Sequence, residues 1–209
     1  DMAELQELSQ EHIIISISQC SIPGISYVDV DNVRGTHAVV SHLLELGHRK
    51  VAMIAYAATD VLIANYRLHG YQQALANHGI GFDESLIRYA NFTSESGHAA
   101  MADLLNTLDE LPTAVFVASD VVAAGAMQAA RDYGLSIPGD ISFASFDDLP
   151  FARYLTPPLT TCSRPAYEIG TLVGEMLIDA LKNNVKLSRS VLLDSKLVIR
   201  ESAAPYRSS

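Results

Sequence analysis

"TAVFVASDVVAAGAMQAARDYGLSIPGDISFASFDD", residues 113–148, decides the fold. It opens with a short apolar run at 113–119. Small and apolar residues then recur at helical spacing over 120–134, up to Gly134, and a second apolar and aromatic run follows at 141–146. Strand, helix and strand in that order are the repeating unit of a parallel sheet, because parallel neighbours need a long crossover. The second run stops at two adjacent carboxylates, Asp147 and Asp148, and a double proline, Pro157-Pro158, comes soon after. In open parallel sheets ligands sit beyond the carboxyl ends of the strands, so paired acids at that place ask for a chemical reading.

The same alternation extends in both directions. Upstream, residues 12–18 and 26–30 read as strands. A helix capped by Asp31 or Asn32 follows, carries apolar residues at Val39, Val40, Leu43, Leu44 and Leu46, and ends at Gly47. A buried strand is expected at 50–56, helices at 65–79 and 94–108, and a strand at 85–90 between them. Downstream come a helix over 164–183 and a final strand pair, "SVLLD" and "SKLVIRES". Such alternation predicts an α/β protein with parallel sheets flanked by helices.

Composition removes several function classes. With 209 residues and 49% hydrophobic content, the chain can bury a full core. A formal net charge of -10, from 24 acids against 14 bases, with no basic cluster, argues against direct nucleic-acid contact by this chain. No apolar run approaches the roughly 18 residues of a membrane span, and "DMAELQELSQEH" lacks the basic start and apolar core of a secretory signal, so a cytoplasmic location is expected. Cys20 and Cys162 are far apart and lack CxxC spacing, which predicts free thiols. None of the seven histidines has metal-ligand spacing, and GxSxG, P-loop and GxGxxG patterns are missing, so no metal, no cofactor and no enzyme activity are expected.

Three strand ends carry polar or aromatic groups: Phe92-Thr93, Ser119-Asp120 and Asp147-Asp148. Asp120, at the start of a helix, is expected to act as its N-cap. Ser119 either points into a cleft or fills space. Asp147, directly after its strand, is the better ligand acceptor, whereas Asp148 caps or meets solvent. The two do not form a catalytic dyad, since adjacent strand residues point to opposite faces. Arg67 follows a loop, where it either pairs with Asp147 and forks onto ligand hydroxyls or is a solvated surface arginine. Phe92 either stacks on a ligand ring or fills core, and periodicity alone favours core.

"VDVDNVRGTHAVVSHLLELGHRKVAMI", "YRLHGYQQAL", "PTAVFVASDVVAAGAMQAARDYGLSIPGDISFASFDD", "PPLTTCSRPAYEIG" and "LVIRES" together strongly resemble the effector-binding domain of LacI/GalR-family transcription repressors, from about Ile13 to Ser202. The resemblance implies a two-lobed, type I periplasmic-binding-protein-like fold with three crossovers and an effector held between the lobes. It implies an N-terminal lobe of residues 1–50, incomplete and completed by 162–187, and a C-terminal lobe of 51–161 completed by 188–209. Crossovers would fall near Lys50–Ala57, Leu159–Ser163 and Asn184–Ser188, with "TPPLTT" carrying the chain back across. It assigns effector contacts to Arg67, to Phe92 as a stacking aromatic, to Ser119 in place of the family's Asn, and to Asp147.

Arg164 falls where the family often has Gln, and Ser18-Gln19 where many sugar-binding members have Asp-Arg, which weakens the case for an ordinary hexose or pentose. "NFTSESG" and "RPAYEIG" resemble the cytidine-repressor branch, so the implied small-molecule effector is a sugar or a nucleoside. The family further implies a homodimer, packed in part through Ala123, Ala124, Ala126 and "FARYLT". Operator DNA would be read by a helix-turn-helix that these 209 residues do not contain. A periplasmic sugar-binding protein of a transport system is the alternative.

Overall fold

The computed structural model describes residues 2–57, 62–183 and 189–207. The chain divides into two compact units, Asp1–Asp31 with Arg164–Ser195, and Asn32–Ser163 with Lys196–Ser209, and therefore passes between them three times.

The smaller unit contains helix α1 (Met2–Glu11), strands β1 (Ile15–Ser16) and β2 (Ser26–Val30), helix α6 (Ala166–Asn183) and strand β8 (Val191–Leu193). Its strands are parallel in the order β1-β2-β8, with Ile15 opposite Ser26 and Val28 opposite Val191. Ile169, Leu172, Val173 and Met176 recur at the spacing of one helix face, and α6 lays that stripe against Val28. Its other face leaves Tyr167, Ile178 and Leu181 exposed.

The larger unit holds α2 (Asn32–Glu45), β3 (Val51–Tyr56), α3 (Leu62–Asn77), β4 (Ile87–Ala90), α4 (Ser94–Thr107), β5 (Ala114–Val117), α5 (Asp120–Asp132), β6 (Ser142–Asp147), β7 (Thr160–Ser163) and β9 (Leu197–Val198). Its sheet runs β4-β3-β5-β6-β7-β9, parallel except for the last pair. Every residue of β3 and β5 is buried, which is why both read as unbroken apolar runs. Ile54, Val115, Val117 and Phe143 pack with Met101 and Leu104 of α4 and Val122 and Met127 of α5. Helices α4 and α5 lie close enough that a Cβ on Gly125 would stand 1.8 Å from the Ser94 carbonyl oxygen, and one on Gly97 2.1 Å from that of Val122. A side chain at either place would drive the helices apart.

Strand order fixes where the polar groups gather. The chain leaves β3 to form β4 on one side, then returns to place β5 on the other, so the connections diverge beyond the carboxyl ends of β3 and β5. Tyr56, Ser119 and Asp147 stand at or just past the ends of β3, β5 and β6.

Several expectations are corrected. The first passage between units falls after Asp31 rather than near residue 50, because α2 packs on α3, where Gly70 admits the Val33 carbonyl and Thr36. Strand β3 is an interior strand of the larger sheet and crosses nothing. The double proline does not carry the chain across either. Both Glu201 and Ser202 donate backbone N–H bonds to the Pro158 carbonyl, so it anchors the C-terminal segment; the passage itself follows β7 at Ser163, at the end of the expected 159–163 crossover. The crossover expected at 184–188 lies outside the described residues, and the third division falls after Ser195. The final two strands do not pair: β8 joins β2, and β9 joins β7. Ala123 and Ala126 are buried in their own core, so they are not available to a second subunit.

Candidate functional site

In the larger unit the site is built around Arg67. Its place on α3 buries it to 1% exposure, so it is neither a solvated arginine nor a loose one at a cleft mouth. Nε donates to Asn32 Oδ1 at 3.1 Å, one Nη donates to the Ala118 carbonyl, and the other reaches Asp147 Oδ1 at 3.2 Å. The guanidinium carbon lies 3.9 Å from the centroid of the Phe146 ring. Hydrogen bonds and ring contact together meet the desolvation cost of a buried cation.

Asp147 is the exposed partner of that pair, with 20% of its side-chain surface accessible against 2% for Arg67. It has φ 116° and Asp148 has φ 53°, so two successive non-glycine residues occupy sparsely populated backbone regions. The turn sends the acids to different partners, Asp147 to Arg67 and Asp148 to Arg200 at 2.5 Å. Each carboxylate therefore has its own cation.

Phe92 is 56% exposed and stacks on Tyr56 with centroids 4.1 Å apart and planes 26° from parallel. It is not core, contrary to what periodicity favours. Sequence alone presents Tyr56 only as the end of a buried strand, yet it joins two members of the site: it lies under Phe92 and 5.8 Å from the Arg67 guanidinium. Burial pushes its hydroxyl pKa up, against the pull of Arg67 and hydrogen bonding to Ser119. An aromatic closing a strand at a sheet's switch point is the sequence signal for it.

Ser119, 4% exposed, is the N-cap of α5 and accepts from the Val122 N–H at 3.4 Å. Asp120, expected to be the cap, instead is fully buried beneath the turn. Its carboxylate accepts from Ser145 Oγ, from Thr161 Oγ1 at 2.7 Å and from the Leu149 N–H at 2.6 Å. Burial raises its pKa to about 6 against the pull of these three bonds, with the Asp147 charge adding to the rise.

The smaller unit has its own polar set. Asp29, at the end of β2 and fully buried, receives Arg164 Nε at 3.0 Å and the Gln19 N–H at 3.1 Å. Arg164 also donates to the Ile17 carbonyl. Ser18 lies in the half-buried turn beyond β1, where its N–H donates to Ser16 Oγ at 3.1 Å. An acid and a base thus meet here although Ser18-Gln19 supplies neither.

A cavity of about 430 Å³ lined by His48, Thr113, Asp140 and Tyr206 lies at the amino-terminal ends of the strands, away from Asp147. Both His48 nitrogens are engaged, by Thr113 Oγ1 and the Ala204 carbonyl, and burial lowers its pKa, so it anchors the C-terminal segment as a neutral ring. Among the described residues no three His, Cys, Asp or Glu side chains gather as metal ligands, and no helix is long and apolar enough to cross a membrane. Cys20 is half-buried and Cys162 is buried in β7.

Beyond the strand ends of this α/β module stand a hydrogen-bonding acid and an exposed aromatic ring, groups that can accept hydroxyl hydrogen bonds and stack on a flat face. Residues 40–203 match the periplasmic binding protein-like domain family, and the chain belongs to that family in the form found in LacI-family regulators. It is 40% identical over 175 residues to the HTH-type transcriptional repressor CytR of Escherichia coli K12, a match covering 84% of this chain and 51% of that protein. The chain spans about half the length of the curated relatives it matches. Among solved structures, a regulatory protein of LacI family from Chloroflexus aggregans is similar at 31% identity and TM-score 0.83, over 95% of this chain and 71% of that one. A complex of the transcriptional regulator CelR with cellobiose is similar at 29% and 0.84, over 97% and 70%.

Proposed function

We propose that this chain is the effector-sensing domain of a cytoplasmic bacterial transcription repressor and has no enzymatic activity. Its effector is a small polar metabolite, a sugar or a nucleoside. The observation that carries the reading is the Arg67–Asp147 pair set beside the Phe92–Tyr56 stack. Asp147 accepts ligand hydroxyls, Phe92 receives a sugar face or a base, and Arg67 and Ser119 complete the contact from below. Arg164, Ser18 and Gln19 supply polar contacts on the smaller unit.

The CelR complex supports a sugar, since that relative holds cellobiose. A flat exposed ring supports a nucleoside equally well, because aromatic stacking tolerates either. With a net charge of -10, operator binding falls to a helix-turn-helix outside these residues, in a homodimer whose affinities for effector and operator are linked reciprocally.

Thermal shift with cellobiose, ribose, cytidine and adenosine tests the reading on wild type and Asp147→Asn. Asparagine keeps an oxygen for Arg67 and tolerates positive φ, but it is no longer a carboxylate. A true effector at about 100 times its Kd stabilises the native state by about 2.7 kcal/mol, and that gain should be lost in the variant. Equal shifts in both proteins would remove Asp147 from the site.

A further inference from the structure

Asp120 is fully buried, yet its carboxylate is tied to two successive backbone N–H groups of the turn that follows Asp147, one directly and one through a hydroxyl. Leu149 donates to Oδ2 directly. Asp148 donates to Thr161 Oγ1 at 3.4 Å, and the Thr161 hydroxyl donates in turn to Asp120 Oδ1. Ser145, two residues before Asp147 on β6, donates to the same oxygen. Both residues that this network brackets have positive φ, a conformation that needs outside support. Three donors converging on a buried acid are far more than helix capping requires, and the cap is already Ser119.

We propose that Asp120 is a positioning residue: its ionised carboxylate holds the Asp147–Asp148 turn in its left-handed backbone and thereby aims the Asp147 carboxylate. When Asp120 takes up a proton, one acceptor site becomes a donor, and the hydroxyls or the Leu149 N–H must find other partners. The charged groups around it are Asp147 on β6, whose charge opposes ionisation, Arg67 on α3, bound to Asp147 and to the Ala118 carbonyl, and the Arg200–Asp148 pair. Its pKa of about 6 means that the switch between holding and releasing falls close to neutral pH. What this does to an effector rests on Asp147 being its acceptor. The titration below uses no effector, so the two ideas fail separately.

The test is a pH series of amide spectra on the ¹⁵N-labelled chain, from about pH 7.5 to about pH 4.5. The Leu149 amide proton should move with a midpoint near 6, and the backbone couplings of Asp147 and Asp148 should change with the same midpoint. Thr161→Val, which removes one donor from the carboxylate, should raise that midpoint, and Thr161→Ser should restore it. In Asp120→Asn the Leu149 movement should vanish. A Leu149 signal that stays flat in wild type overturns the proposal, as does one that still moves in Asp120→Asn. Should the asparagine variant not fold, an unchanged midpoint in Thr161→Val overturns it equally. Constant Asp147 and Asp148 couplings while Leu149 titrates would show that the carboxylate does not hold the turn.

Discussion

The larger unit pairs Arg67 with Asp147, and the smaller unit pairs Arg164 with Asp29, but the two pairs are built inside out. In the first the cation is sealed, at 2% side-chain exposure, and the acid reaches the surface at 20%; in the second the acid is sealed at 0% and the cation reaches out at 19%. The buried member of each is tied down by further bonds, Arg67 by Asn32 and the Ala118 carbonyl, Asp29 by the Gln19 N–H. Burial therefore decides what each unit can offer a polar molecule. The larger presents an acceptor held by a fixed cation, the smaller a donor held by a fixed acid.

Removing the sealed cation should have the largest effect. Arg67→Ala removes the cation paired with Asp147 and the buried bonds that Arg67 donates to Asn32 and the Ala118 carbonyl. Breaking a buried pair in this way costs about 3 to 5 kcal/mol, which urea denaturation will read as a lower midpoint. A loss below about 1 kcal/mol would mean that the pair is solvated like an ordinary surface bridge, and the contrast between the units would collapse.

Asp120 sharpens the contrast through pH. Its folded pKa of about 6 lies above the ordinary 3.8, so the native state binds the extra proton between those values. Its contribution to stability is therefore fully present below about pH 3.8 and is withdrawn as pH rises through about 6, amounting to a few kcal/mol. Comparing urea midpoints of wild type and Asp120→Asn across this window should show wild type gaining relative stability as pH falls. A constant difference would mean that Asp120 titrates normally. If its carboxylate also holds the turn, then the protonation that favours the fold releases the turn, so stability and the aim of Asp147 respond to pH in opposite senses.

In the smaller unit the sealed member is the acid, and its partner has a route to water. Asp29→Ala removes the acceptor of the Gln19 N–H and of Arg164 Nε, but Arg164 still holds the Ile17 carbonyl and keeps solvent contact. A loss of about 2 kcal/mol is expected in urea denaturation. A loss as large as that of Arg67→Ala would show that exposure of the second partner makes no difference.

What the sequence made legible follows from range. Strand and helix patterns are local, and β2, α2, β3, α4 and β6 fall within a residue or two of their expected places. Asp147 was legible because a carboxylate ending a buried strand has few places to go. Arg164 and Asp29 were not legible as a pair, being 135 residues apart, with the base on a position where the family resemblance suggested Gln. Ser119 and Asp120 are both good capping residues, and composition could not tell which would turn inward. The boundary of the first unit was misplaced because a helix and the strand before it read alike whichever sheet they join. Only the close approach of Gly70 to α2 decides it.

Phe92 should give the smallest effect on stability and the clearest one on function. Its ring is 56% exposed and rests on Tyr56, so Phe92→Ala removes one stacked contact and little buried area. A stability change within about 1 kcal/mol is expected. The Tyr56 ring beneath, buried in the wild type, is then left to receive a ligand alone. For whichever compound shifts the wild-type melting point, isothermal titration should show about a tenfold weaker Kd, the size of one lost stacking contact. Loss of stability without loss of affinity would make the Phe92–Tyr56 stack a structural prop. The polar pair would then be the whole of the larger unit's contribution to binding.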